Sequence, residues 1–172
     1  MWIDLLLATV LIVCVTTDLL HRKIYNAVIG PALVLALAMH LAAEGWQGLL
    51  VSSTGFAVGL GVLLVPYLLG GMGAGDVKLL ALIGALKGTG FVLETALYMA
   101  LLGGLIALGV LLCRKEAFGY VRRLLYIASS WRYGCRISAA PGEGEMTATY
   151  PYGVAIAGGA AAALLAAGSV LP

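Results

Sequence analysis

The chain has 172 residues, of which 62% are hydrophobic and 10% charged, with a formal net charge of +2. Soluble domains carry roughly 45–50% apolar and about 25% charged residues. A water-soluble enzyme or a nucleic-acid-binding module is therefore excluded, and an all-α, polytopic membrane helix bundle is expected. The length suits one domain over residues 1–172, and the 24 glycines let helix backbones approach one another.

A membrane span needs ~20 largely apolar residues. Trp2 to Leu19 is the first such run. Its first charge is Asp4 and no small-residue cleavage site follows, so it is expected to remain as a helix and not to act as a cleaved signal. A short basic turn, His21-Arg22-Lys23, leads to the second run, Ala27 to Ala43. Glu44-Gly45-Trp46-Gln47 is a polar turn, and Leu49 to Leu69 is the third run. A glycine-rich break, Gly70-Gly71-Met72-Gly73-Ala74-Gly75, ends at Asp76. Val77 to Leu86 is apolar but short, and Lys87-Gly88-Thr89-Gly90 interrupts it. Phe91 to Leu112 and Tyr152 to Leu171 complete about six expected transmembrane helices.

Lys and Arg set the orientation. Arg22 and Lys23 follow the first run, and Arg114, Lys115, Arg122, Arg123, Arg132 and Arg136 precede the last. Six spans put both groups on one side, the cytoplasm. Between 114 and 150, Phe118, Val121, Leu125, Ala128 and Trp131 recur at helical spacing among arginines. They predict a short amphipathic cytoplasmic helix on anionic lipid. Ser138 to Thr149, with Pro141, Gly142 and Gly144, reads as a loop.

This topology places Asp18 and Asp76 at the same face. An ionisable group at membrane depth is by default a functional candidate. Asp76 opens a helix, where an acid also serves as a cap. Asp18 closes one, where the dipole disfavours an anion; an ion pair with Arg22 is its bland alternative. Two close carboxylates share one proton. The ionised member can deprotonate water while the protonated one donates to a carbonyl, which is the chemistry of metal-free peptide hydrolysis. On the dipole argument Asp76 reads as the base and Asp18 as the acid. Gly73 and Gly75 supply the supporting backbone turn and close approach, and Lys78 can screen Asp76.

Other chemistries lack their parts. Cys14, Cys113 and Cys135 form no C-x-x-C pair, and there is no H-E-x-x-H or G-x-S-x-G. No metal or cofactor is expected. His40 reads as a packing or interfacial residue, Lys87 as a side chain that snorkels outward, and Trp2, Trp46 and Trp131 as interface anchors.

Gly73-Ala74-Gly75-Asp76-Val77-Lys78-Leu79-Leu80 resembles the G-x-G-D motif of type IV prepilin peptidases. Asp18 with Arg22, Lys23, Ile24 and Asn26 resembles that family's first-aspartate region, and Tyr150-Pro151-Tyr152-Gly153 its Pro-Tyr-Gly stretch. Size and glycine content are most similar to the short peptidases of tight-adherence (Flp) pilus systems. The resemblance implies an aspartic endopeptidase of the bacterial inner membrane. It would cut the basic cytoplasmic leader from a prepilin, with Asp18 and Asp76 as the catalytic pair and Arg22 and Lys78 as secondary residues. Prepilin and membrane lipid are the implied partners. Tyr25 stands where the family often has proline, which loosens the turn. No cysteine-rich insert is present, so N-methylation of the product is not expected. The rival readings are a small proton-coupled transporter or channel, and a non-catalytic pilus assembly factor.

Overall fold

The computed structural model describes residues 2–69, 71–113 and 152–170. They form four helices: α1 (Trp2–His21), α2 (Asn26–Leu68), α3 (Ala74–Cys113) and α4 (Tyr152–Val170). The residues group into two units, Met1–Gly103 with Pro151–Pro172, and Gly104–Tyr150. The first unit is a helical bundle. Of the second, residues 104–113 are described, and they are helical. The expected amphipathic helix and loop between 114 and 150 lie outside the described residues.

Six separate helices are expected from the sequence, whereas the described residues form four. The difference lies at two glycines. Gly45 (φ 60°, ψ −138°) interrupts α2, and Gly88 (φ 83°, ψ −178°) interrupts α3. Glycine tolerates these angles because it has no Cβ. Helix resumes directly after each, so the polar turns expected at 44–47 and 87–90 are folds within helices.

The fold at Gly45 is sharp. Residues 40 and 48 would stand about 12 Å apart along a straight helix. Instead, a Cβ on Gly48 would overlap the His40 carbonyl oxygen, so α2 doubles back on itself. This accounts for a helix of 43 residues, roughly 65 Å if straight and twice a hydrocarbon core of ~30 Å. At Gly88, α3 doubles back as well. Its first arm runs from Asp76 to Lys87, which pairs with Asp4 at the far end of α1. Beyond the fold, Thr95 and Met99 meet Gly159 of α4, and Leu102 meets Gly158.

Residues 74–87 form the centre of the bundle. Asp76, Val77 and every residue from Leu79 to Leu86 are buried. At ~1.5 Å per residue this arm spans roughly 20 Å, short of a bilayer core. A helix apolar on all sides belongs inside protein, and here its neighbours cover it. The second arm of α2 presents Gly48, Ser52, Gly55, Gly59 and Leu63 as its buried face. A Cβ on Gly55 would overlap the Gly84 carbonyl oxygen, and one on Gly84 would overlap that of Gly55. Gly59 would place a Cβ 2.6 Å from the Leu80 oxygen. The two arms therefore touch backbone to backbone, as small residues allow between membrane helices.

The carbonyls just before Gly88 find partners on α2. Ser52 Oγ donates to Ala85 O at 2.7 Å, and His40 Nε2 to Leu86 O at 3.1 Å. Where a helical ladder is interrupted, carbonyls need such donors. His40 is thus a half-buried packing residue with a defined partner. Lys87, expected to reach outward, pairs with Asp4 and lies 5.5 Å from the centre of the Phe91 ring.

The outward faces are apolar: Leu5, Ile12, Val34, Val65, Leu93, Leu97 and Leu101 are exposed. Trp2 and Trp46 are exposed too. The stretches Trp2–His21, Asn26–Leu68 and Ala74–Ile106 are long and apolar enough to cross a membrane; Tyr152–Gly168 is a shorter apolar helix. An apolar exterior is what lipid demands and water forbids.

The backbone contact at Gly84 has a measurable consequence. Gly84→Val is expected to lower the stability of the detergent-purified protein by about 1–3 kcal/mol through overpacking. Gly61, which has nothing within 4 Å of a new Cβ, should accept Val with a change within about 0.5 kcal/mol. Thermal unfolding followed by tryptophan fluorescence compares the two, and equal losses would contradict the close packing.

Candidate active site

Asp18 continues the core stripe of α1. Leu7, Leu11, Cys14 and Asp18 recur every three or four residues, and all are buried. The helix turns out of α-geometry at Arg22, whose φ is 51° and whose N–H donates to Asp18 O at 2.8 Å. Tyr25 then starts α2 with φ −83° and ψ 131°, and its carbonyl accepts from the Val28 and Ile29 amides at 3.0 and 3.4 Å. That φ lies close to the value proline imposes. The His21 and Tyr25 rings meet edge to face, 6.3 Å between centres. Tyr25 therefore holds a defined turn.

Asp76 occupies the first turn of α3. Its Oδ2 accepts from the Gly73 N–H at 3.2 Å, and its own N–H donates to Gly73 O at 3.2 Å. This is the reciprocal geometry in which the third residue of a helix reaches back to the cap. Among the described residues, only Gly45 and Gly88 are glycines with positive φ. Gly73 and Gly75 thus serve by leaving room, not by adopting angles closed to other residues. A Cβ on Gly75 would stand 2.9 Å from Ile24 Cβ, so the α1–α2 connection lies directly on the first turn of α3. Lys78 Nζ donates to Asn26 Oδ1 at 2.9 Å and ties the same two segments together.

Asp18 and Asp76 are each only 8% exposed and are near enough to interact electrostatically. Asp18 Oδ2 accepts from the Gly153 N–H at 3.1 Å, in the first turn of α4. Among the described residues, neither carboxylate's Oδ1 has a hydrogen-bond partner. Both acids therefore sit at one end of the bundle, each holding a backbone N–H from the start of a helix. Each acid thus faces a helix N-terminus, so a favourable dipole acts on Asp18 as well as on Asp76.

The three sequence regions singled out separately thus converge. Ile24 and Asn26 touch Gly75 and Lys78, and Gly153 touches Asp18. The contact of Gly153 with Asp18 is not evident from the sequence, since no local pattern links the two helix ends. The signal that was available is a glycine in the first turn of a helix, where amides lack intrahelical partners.

A bundle with lipid-facing walls and a pair of buried acids at one end is the architecture of an integral membrane protein with an ionisable site. The chain belongs to the type IV leader peptidase family, whose model matches residues 5–120. The match spans both aspartates and stops short of α4. No curated protein and no solved structure matches the chain.

The contact between Ile24 and Gly75 is testable by a double-mutant cycle. Gly75→Ala is expected to cost about 1–3 kcal/mol of stability. Combined with Ile24→Ala, which vacates the space, the added methyl should cost less, with a coupling energy of at least ~0.5 kcal/mol. Strict additivity in chemical denaturation would show that the two segments do not touch.

Proposed function

We propose that this peptidase is a membrane aspartic endopeptidase that removes the cytoplasmic leader of type IV, Flp-like prepilins. Asp18 and Asp76 are its acid/base pair, and the reaction uses no metal or cofactor. The observation that carries this reading is the burial of two carboxylates at one end of an apolar bundle, near enough to influence each other electrostatically. Buried charges of like sign are costly, and a shared proton relieves the cost.

In the proposed reaction the ionised carboxylate takes a proton from water as the water oxygen attacks the scissile carbonyl carbon. The protonated carboxyl gives its proton to the carbonyl oxygen. The tetrahedral diol collapses as one hydroxyl gives its proton to the now ionised carboxylate, the other acid passes the proton it took from water to the amide nitrogen, and the C–N bond breaks to release the amine. Each acid ends in the state needed for the next cycle, up to exchange of roles between them. The Oδ1 atoms, which have no hydrogen-bond partner among the described residues, are the ones that would meet water and substrate.

The fold at each glycine supports six crossings of the bacterial inner membrane. The arms on either side of Gly45 and Gly88 run in opposite directions, and Arg22, Lys23 and the basic residues of 114–150 then face the cytoplasm with the acids. Residues 1–172 act as one peptidase domain, with 114–150 as its cytoplasmic loop. A prepilin would place its basic leader at that face and its apolar helix among the lipids. Arg22 and Lys78 play secondary parts by shaping the connection beside the acids. N-methylation of the product is not part of this reading.

Co-expression with a Flp-type prepilin, scored by the gel shift of leader loss, tests the proposal. Asp18→Asn and Asp76→Asn should each reduce cleavage by at least about 10²–10⁴-fold, the usual worth of a positioned acid or base. Membrane levels should not change. Cleavage at the parental rate by either variant would remove the pair.

A further inference from the structure

Asp18 is held from outside the segment that matches the family model. Its Oδ2 accepts the N–H of Gly153, the second residue of α4. Gly153 is itself buried, and there is no room beside it: a Cβ would lie 2.6 Å from Asp18 Oδ2, 3.1 Å from Cγ and 3.3 Å from Cβ. The absence of a side chain therefore lets the amide reach the carboxylate.

We propose that Gly153 is a positioning residue for Asp18, fixing the carboxylate rotamer so that Oδ1 faces the site shared with Asp76. This rests on the aspartic reading above. The role combines two properties, of which the second is glycine's alone. Its amide lies in the first turn of a helix, where no intrahelical carbonyl competes for it, and its bare Cα lets the carboxylate sit against the backbone. Any larger residue keeps the amide but displaces the acceptor.

The displaced partner distinguishes this glycine from Gly159 on the same helix. A Cβ on Gly159 would stand 2.7 Å from Met99 N and 2.7 Å from Thr95 O. Backbone atoms held in a helix do not yield, so Gly159→Ala should weaken helix packing. At Gly153 the obstructed atoms belong to a side chain that rotates. Gly153→Ala should therefore spare the fold and move the carboxylate.

The experiment compares kinetics per folded enzyme for the parent, Asp18→Asn, Gly153→Ala and Gly159→Ala, using the prepilin in detergent. Gly153→Ala is expected to lower kcat about 10²-fold, as a misplacement of ~1 Å in a catalytic group does, with KM within about twofold of the parent. Gly159→Ala should lower the thermal midpoint but leave kcat per folded molecule near the parental value. Parental kcat for Gly153→Ala, with Asp18→Asn inactive, would overturn the positioning role and leave the aspartic reading intact. Activity in Asp18→Asn would overturn both.

A second measurement stands even if Gly153→Ala does not fold. The chain has two Tyr-Gly pairs, Tyr133-Gly134 and Tyr152-Gly153. In a Gly134→Ala background, carbonyl-labelled tyrosine with nitrogen-labelled glycine isolates the Gly153 amide. Its proton resonance should move upfield when Asp18→Ala removes the acceptor. An unmoved resonance would show that the bond does not exist in the membrane protein.

Discussion

The arrangement at the acid-bearing end of the bundle follows from burying two carboxylates in an apolar protein. An ionised acid without partners is among the most costly groups to remove from water. Membrane helices satisfy their own amides and carbonyls internally, so few backbone donors remain to help. The exceptions are the first amides of each helix. Two such amides, at Gly73 and Gly153, are the donors used. The Gly73 bond is local to α3, whereas the Gly153 bond brings the start of α4 to the end of α1, and the α1–α2 connection lies on the first turn of α3, so these helix ends converge around the acids.

Glycine makes this convergence possible in two distinct ways. At Gly45 and Gly88 it supplies angles that fold a helix back within one residue. At Gly55, Gly59, Gly75, Gly84 and Gly153 it supplies space, and a single methyl would meet a carbonyl, a side chain or the carboxylate itself. The second use is the commoner among the described residues. It accounts for a short central arm that protein, not lipid, must cover. The first use accounts for polar side chains such as Ser52 and His40 at the far end, where the interruption at Gly88 exposes carbonyls to neighbouring helices.

Much of the local geometry of the candidate site was legible in the chain. Asp18 falls in register with Leu7, Leu11 and Cys14, so the helical period alone turns it inward. Asp76 follows a glycine break at a helix start, and its capping geometry is the one its position dictates. Both polar interruptions, at Glu44–Gln47 and Lys87–Gly90, mark real folds in the chain. The number of helices was not legible, because a one-residue glycine fold and a short loop carry the same polar signal. Nor was the full setting of Asp18 legible: the dipole of its own helix is only part of it, because its carboxylate also accepts from the start of a helix more than a hundred residues away in the chain.

What the amino-acid order determines here is local and periodic: which stretches are apolar enough to be helices, where glycine interrupts them, and which face of each helix carries an acid. These follow from backbone hydrogen bonding and from the 3.6-residue repeat, which need no knowledge of neighbours. Only the tertiary structure decides that Ile24 rests on Gly75, that Gly55 and Gly84 touch, and that Gly153 holds Asp18. Those contacts depend on the approach of helices within a few ångströms, and close packing is a property of the assembled pair that neither partner carries alone.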